Sequence, residues 1–369
     1  MSSARQEAEW TVYTLAPKSA FSLGPRDFGT QRRLGLLPSD SLFSALCTQL
    51  RELRGQRTLV RLLDEFIDGD PPFLVSGLLP RLGPVQLLHR PAIPPVASGS
   101  AAADHIDYRT FTQLEWLSWS VFEQWVGGGI GPERNTREAA VQGGTVWLAA
   151  SEYRQAADAR ALIRSTPAGG AMAWQHGQRV RTVTGRDGRG VRAYATPATS
   201  FAPGARLSLL VKWRRDNWRE VLEQTLAALG DSGLGADRGV GRGQFSLERV
   251  EAQQAPRLPG ADGLVTFSLL CPTREELDAG LLAHRRAAWT LVERSGRAGS
   301  PEAAGQRRRR VTMLTAGSVV ALPAGSSDVL GQMVNVTPDP APGHQVWRSG
   351  FAFGWPIRMP TSTVSPGAG

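Results

Sequence analysis

Six glycines fall within seventeen consecutive residues in the stretch Leu229–Phe245, LGDSGLGADRGVGRGQF, at positions 230, 233, 235, 239, 241 and 243, with Arg238 and Arg242 between them. Backbone without Cβ atoms can turn sharply, approach a phosphate closely and direct successive N–H groups at it. A dinucleotide-binding glycine loop follows a strand and opens a helix. Here the order is reversed, because the loop follows an amphipathic helix and precedes the strand-like segment Gln244–Val250. A P-loop is excluded as well, since Gly-Lys-Ser/Thr occurs nowhere. Two readings remain: an anion-contacting loop, or a long flexible helix-to-strand connection.

The elements around this loop follow a recognisable order. Trp10–Leu23, rich in β-branched and aromatic residues, predicts a first strand that bends at Pro17. Ser39 or Asp40 opens a helix with Leu42, Leu46, Leu50 and Leu53 on one face. Asn217 is expected to cap a second helix, with Glu220 completing a capping box and Gly230 stopping it. Its stripe is Trp218, Val221, Leu222, Leu226 and Leu229. Thr273 and Glu276 start a third helix the same way, directly after the alternating strand Leu264–Leu270. Strand, helix, strands, helix, strand is the ferredoxin-like, or RNA-recognition-motif-like, pattern.

At 369 residues the chain suits about two domains. The expected fold class is α+β, with two ferredoxin-like domains, inserted loops and a protruding β-hairpin. The first spans residues 1–254 and carries an insertion at about 92–200; the second spans 259–359, after the break at Gln254–Gly263. Ala92–Asp104 and Ser295–Gln306 read as flexible loops, the latter running into Arg307–Arg310, and residues 360–369 as a disordered tail. Aromatic residues at 116, 119, 122 and 125 form a stripe that suits the core, with a partner interface as its other use.

The formal charge is +9, and only Lys18 and Lys212 are lysines, so nearly all the basic residues are arginine. A GC-rich coding bias explains that as readily as function does. The guanidinium fork nonetheless matches phosphate and stacks on bases, so an anionic ligand is the partner class to test. The segment Arg179–Tyr194, RVRTVTGRDGRGVRAY, adds a hairpin signal at Asp187-Gly188. That turn sets Arg181 opposite Tyr194 and gathers Arg179, Arg181, Arg192 and Tyr194 on one face, with Arg186 and Arg189 near the tip. Arginines interleaved with an aromatic suit single-stranded nucleic acid; a solvated charged hairpin is the plainer alternative. Two cysteines and five scattered histidines show no metal-ligand spacing. A polar amino terminus and the lack of a long apolar run predict a cytoplasmic chain without a membrane span.

Taken together, these motifs resemble the CRISPR RAMP proteins. LPSDSLFSAL at Leu37–Leu46 is similar to the SD-LFSAL motif that follows their first strand, and the glycine loop is similar to their glycine-rich signature. With Pro72–Pro80, Gly317–Leu322 and Trp347–Ile357 in the same order, the resemblance is to the family of fourth subunits of the type III-A Csm effector complex. The hairpin departs from that family's common Arg-Val-x-x-Asp-Arg, since Arg179-Val180-Arg181-Thr182-Val183-Thr184 has no aspartate.

The resemblance implies a non-catalytic subunit without cofactor or metal. Such a subunit grips the repeat-derived 5′ tag of the CRISPR RNA (crRNA) and bridges the large polymerase-like signature subunit to a backbone RAMP subunit. On this reading Arg238, Gly239, Gly241, Arg242 and Gly243 contact tag phosphates, and Ser39 and Asp40 support the same surface. Arg179, Arg181, Arg192 and Tyr194 meet the guide from the hairpin. Two rivals stay open: a metal-independent crRNA-processing endoribonuclease, which needs a general base such as His89 or His105, and a general single-stranded nucleic-acid-binding protein. Asp40 also invites comparison with a metal-binding carboxylate, although its place at a helix start suits capping. Cys47 reads as a small core residue and His284 as a surface residue of the third helix.

Overall fold

A computed structural model describes residues 9–23, 36–95, 112–127, 141–164, 170–184, 191–256, 258–303, 305–322 and 328–359. Strand β1 (Glu9–Pro17) leads to helices α1 (Ser39–Arg54) and α2 (Gln56–Ile67), then to strands β2 (Phe73–Val75), β3 (Leu79–Leu82) and β4 (Val85–His89). Next come β5 (Trp116–Ser118), α3 (Trp119–Gly127), β6 (Val146–Trp147), α4 (Ala150–Asp158), β7 (Ile163–Arg164) and β8 (Ala171–Met172). The long pair β9 (Trp174–Thr184) and β10 (Val191–Phe201) precedes β11 (Ala205–Trp213), α5 (Arg219–Ser232) and β12 (Phe245–Gln254).

These strands, β9, β10 and the small β7–β8 pair excepted, make one sheet in the order β12-β1-β11-β3-β4-β5-β6. β2 and β3 take successive halves of β11, so together they act as one interrupted strand. With that merger the centre reads β-α-β-β-α-β with the fourth strand beside the first, a ferredoxin-like unit as expected. β1 is buried from Trp10 to Ala16, which is why its residues are apolar or β-branched on both faces. α1 turns Leu42, Phe43, Leu46 and Leu50 inward. Leu53, the last member of the expected stripe, is 43% exposed.

The C-terminal part contains β13 (Gly263–Thr266), the short α6 (Arg274–Asp278), β14 (Leu291–Arg294), β15 (Val311–Leu314), β16 (Val319–Ala321), β17 (Met333–Asn335), β18 (Trp347–Ser349) and β19 (Gly354–Ile357). β13 lies between β16 and β19, while β14–β15 and β17–β18 form separate pairs. Thr273 and Glu276 do form the expected capping box, with the Thr273 hydroxyl accepting from Glu276 N–H at 3.1 Å and the Glu276 carboxylate from Thr273 N–H at 2.8 Å.

Several expectations need correction. Asn217 does not cap α5: it sits inside a 3-10 turn, Asp216–Trp218, and the N-cap is Trp218. Gly230 does not end α5, which continues to Ser232 and stops at Gly233 with φ +86°. Gly230 is small for another reason, because a Cβ there would press on Phe245 O at 2.5 Å. α6 ends at Asp278, so His284 lies in the turns beyond it rather than on a helix. Asp40 does not cap α1 either, since the N-cap is Pro38 and no side chain fills that role. Within the expected loop 295–306, Glu302 is held on α1, where Arg51 Nη2 donates to its carboxylate at 2.8 Å.

The two parts share one apolar core. Trp10 of β1 meets Phe353 and Trp355 at centroid distances of 4.8 and 5.9 Å. Trp119 and Phe122 of α3 meet Trp355 at 5.0 and 5.1 Å. The aromatic stripe is therefore core, as its spacing suggested, and it binds the second part to the first. Such pairs add about 0.5–1.5 kcal/mol each beyond the area they bury.

Beside this apolar contact lies a polar one. Asp40 is fully buried and accepts from Arg294 Nε and Nη2, both at 3.0 Å, and from Arg348 Nη1. Ser39 Oγ accepts from Leu269 N–H at 2.9 Å. Removing one member of a buried ion cluster leaves the others unpaired, so Asp40→Ala is predicted to cost about 3–5 kcal/mol of stability in urea unfolding. The triple variant Asp40→Leu, Arg294→Met, Arg348→Met should recover most of that loss; equal loss in both variants would show that Asp40 matters for something other than neutralising the arginines.

Candidate nucleic-acid interface

The glycine loop is held by main-chain contacts rather than hanging free. Leu234 N–H donates to Gly243 O at 3.0 Å, Gly243 N–H to Ala20 O at 3.0 Å, and Ala236 N–H to Ser22 O at 3.0 Å. Gly243 has φ +71°, and a Cβ there would overlap Leu234 O. Gly233 is in the same situation against Arg242 O. The tip is a 3-10 turn, Arg238–Val240, between Asp237 and Gly241, both left-handed at φ +62° and +75°. Arg238, Gly239 and Gly241 are exposed, Arg242 is half-buried and Gly243 is buried.

The loop's amides are therefore not equivalent. Gly241 N–H donates to Arg238 O at 2.9 Å and Gly243 N–H to Ala20 O, so both serve the loop itself. Arg238 and Gly239 begin the 3-10 turn, where N–H groups have no partner inside the turn. An anion approaching this tip meets those amides and the Arg238 guanidinium first.

The hairpin has the expected register. β9 and β10 form a two-stranded sheet, with Tyr194 opposite Arg181, Arg192 opposite Val183 and Arg179 opposite Thr196. Arg179 is exposed, and so is Val180 at 68%. The Asp187-Gly188 turn, with Arg186 and Arg189, lies outside the described residues. At the root, Phe21 N–H donates to Thr199 O at 2.9 Å, Ser22 Oγ donates to Pro197 O at 3.0 Å, and Phe21 packs on Phe201 at 5.6 Å. Residues 20–22 thus hold the hairpin root on one side and the glycine loop on the other.

From this junction a groove of about 1610 Å³ runs between α1 and the C-terminal part. Gly235, Ala236 and Arg238 line one end, and Arg294, Arg297 and Arg308 line the C-terminal wall. Those last three were missed as site residues in the sequence. Arg308 belongs to the conspicuous run 307–310, but nothing in the run shows which member faces inward. Ser39 and Asp40 are buried beneath the groove, so their support for this surface is to fix α1 against residues 269, 294 and 348.

No described histidine sits in the glycine loop. His89 stacks on Trp116 at 4.2 Å, and burial pushes its pKa down to about 3. His176 bonds Thr199 Oγ1 at 3.0 Å, His344 bonds Ser300 Oγ at 2.9 Å, and His284 Nδ1 accepts from Arg286 N–H at 3.2 Å. His105 lies outside the described residues. Among the described residues no three His, Cys, Asp or Glu side chains gather as a metal site, and no helix is long and apolar enough to cross a membrane. Cys47 packs against the core, partly buried, and burial raises its thiol pKa to about 12.

The structure thus joins a ferredoxin-like unit with a glycine loop before its last strand, an arginine-bearing hairpin and a second, smaller part. Residues 260–357 match the sequence model of the CRISPR Csm4 C-terminal domain. Over its length the chain is similar to a chain of the Csm3–Csm4 subcomplex of the type III-A CRISPR-Cas interference complex, with TM-score 0.62, 14% identity and coverage of 95% of this chain and 99% of that one. It is also similar to a chain of the Csm1–Csm4 cassette in complex with AMPPNP, with TM-score 0.55, 16% identity and coverage of 96% and 100%. The same cassette in complex with cA4 gives 0.54 at 16% identity, again covering 96% and 100%. Csm4 is the component common to all three. No curated protein matches the chain. The chain is Csm4-like, in fold along its length and in sequence over its C-terminal part.

Two predictions follow from this geometry. Gly243→Ala, which forces a Cβ into Leu234 O at a left-handed φ, should lower stability by about 1–3 kcal/mol. Gly239→Ala, with ordinary φ and no atom within 4 Å of the new Cβ, should unfold at the wild-type urea midpoint. Because His89 is held neutral below its unfolded pKa, the unfolded chain binds the extra proton. Stability should therefore fall as pH drops below about 6.5, by at most about 1.4 kcal/mol per pH unit. His89→Phe should remove that portion of the slope.

Proposed function

We propose that this chain is the Csm4-type subunit of a type III-A CRISPR effector complex, gripping the 5′ tag of the crRNA and joining the large signature subunit to the backbone. One observation carries the reading: in a chain with the Csm4 fold, residues 20–22 bring the exposed Arg238–Gly239 tip and the root of the arginine-bearing hairpin together at the mouth of an arginine-lined groove. Phosphates would meet the amides and guanidinium at the tip, while bases would stack along the hairpin. The partner assignment is supported by the similar chains, which come from complexes in which Csm4 accompanies Csm3 or Csm1.

The subunit positions RNA and performs no chemistry of its own. Supporting this, His89 is locked against Trp116 as a neutral ring, and the other described histidines bond to Thr199, Ser300 and a local amide instead of facing one another. The chain works in the cytoplasm, where the guide and its partner subunits are made.

The test compares binding of RNA with the repeat-derived 5′ tag, RNA with a scrambled tag, and matched DNA, using the chain alone and co-expressed with its partners. Tagged RNA should bind tightest; equal affinities in both formats would remove the tag-reading claim. Replacing both Arg238 and Arg242 with Ala should weaken tagged-RNA binding about tenfold or more and reduce the salt slope by about two. Site-specific cleavage of repeat RNA by the chain without metal would turn the assignment to an endoribonuclease.

A further inference from the structure

Arg308 is the one member of the run 307–310 that lines the groove. It is half-buried, yet it makes no salt bridge among the described residues. Its Nη1 reaches Ser44 Oγ at a long 3.4 Å, and its buried Nε has no hydrogen-bond partner. Burial, and after it the positive charge of Arg294, depresses its pKa. Neighbouring Asp40 is already saturated by Arg294 and Arg348. Arg294 and Arg348 thus share one carboxylate, and two further acids of the groove wall, Glu293 and Glu302, pair with Arg310 and Arg51 rather than with Arg308.

Buried charge without a counter-charge is costly, and proteins seldom keep it unless an anion supplies the missing partner. The other possible explanation, a structural clamp, fits poorly. A clamping arginine uses its fork on carboxylates or carbonyls, as Arg206 does with both oxygens of Glu248 at 2.7 and 3.1 Å. Arg308 instead leaves its fork toward the groove, where Ser44 and Arg294 face the same space.

We propose that Arg308 and the Ser44 hydroxyl, beside the charge of Arg294, form a phosphate subsite in the wall of the groove that binds one phosphate of the RNA strand. The RNA assignment rests on the function proposed above, and the path is physical: the same groove continues to Arg238 and the glycine loop. A strand leaving the loop tip would pass this wall, with Arg308 donating two N–H groups to a phosphate oxygen pair.

The experiment uses the full chain, Arg308→Gln, Arg308→Lys, and Arg274→Gln as a control that removes an exposed arginine outside the groove. Binding of single-stranded RNA with the 5′ tag is titrated against salt, and melting is followed in inorganic phosphate and in chloride at matched ionic strength. Arg308→Gln should lose about tenfold in RNA affinity and about one from the salt slope. In chloride it should melt at or above the wild-type temperature, and its extra stabilisation by phosphate should shrink. Arg308→Lys should keep the slope but bind more weakly, and the control should match wild type. If Arg308→Gln melts lower in chloride, or responds to phosphate as wild type does, the subsite is refuted and Arg308 is a clamp. If wild type binds no RNA while phosphate stabilises it through Arg308, the subsite stands and the proposed function fails.

Discussion

Asp40 is the point at which the two halves of the chain become one molecule. Its carboxylate, 0% exposed, accepts from Arg294 across 254 positions and from Arg348 across 308. Burial drives both arginines down to about 10, a sign of how much hydration they surrender. Such a cluster adds little net stability compared with a packed apolar one. Its value is geometric, because only one placement of β14 and β18 satisfies a single carboxylate from two sides. The Trp10–Trp119–Trp355 contact supplies the adhesion; Asp40 supplies the alignment.

That alignment determines the groove. One wall is α1, whose first turn carries Asp40; the other is the strand and loop that carry Arg294 and Arg308. At the far end, residues 19–22 tie the remaining pieces together, with Ser19 Oγ accepting from Gln244 N–H at 3.1 Å, Ala20 and Ser22 carbonyls accepting from the glycine loop, and Phe21 seating the hairpin. The elements that the proposed function assigns to RNA are thus fixed to one another by the fold itself. The ordering cost that a free loop would incur on binding is largely met by folding.

What the sequence made legible was local. The hairpin register followed from turn chemistry, the Thr273 box from its own spacing, and the ferredoxin-like order from the succession of periodic segments. What it hid was nonlocal or competitive. Asp40 looked like a cap because caps are written in adjacent residues, while its true partners lie hundreds of positions away. Asn217 looked like a cap too, but the chain inserts a 3-10 turn so that Trp218 can bury and donate from Nε1 to Glu65 at 2.7 Å. Gly230 looked like a helix stop, whereas close packing on Phe245 is what demands its small size. Among the loop's glycines, composition could not separate Gly243, which the backbone requires, from Gly239, which it tolerates.

The arginine excess can now be divided by use. Arg214 and Arg215 clamp Asp70 and Glu65, Arg206 clamps Glu248, and Arg51 ties Glu302 to α1. Arg90 donates from Nε to Leu114 O at 2.9 Å from a partly buried position. These residues use the fork to fasten one segment to another, a task for which a lysine point charge is a poor substitute. A net charge of +9 therefore argues for nucleic acid less strongly than it first suggests, since much of the arginine is spent inside the fold. The argument for RNA rests on a small remainder, in which Arg179 and Arg238 stand exposed and Arg308 lines the groove with only the Ser44 hydroxyl as a side-chain partner among the described residues. A surface evolved only for solubility would have no reason to keep that last guanidinium half-buried and its Nε without a partner.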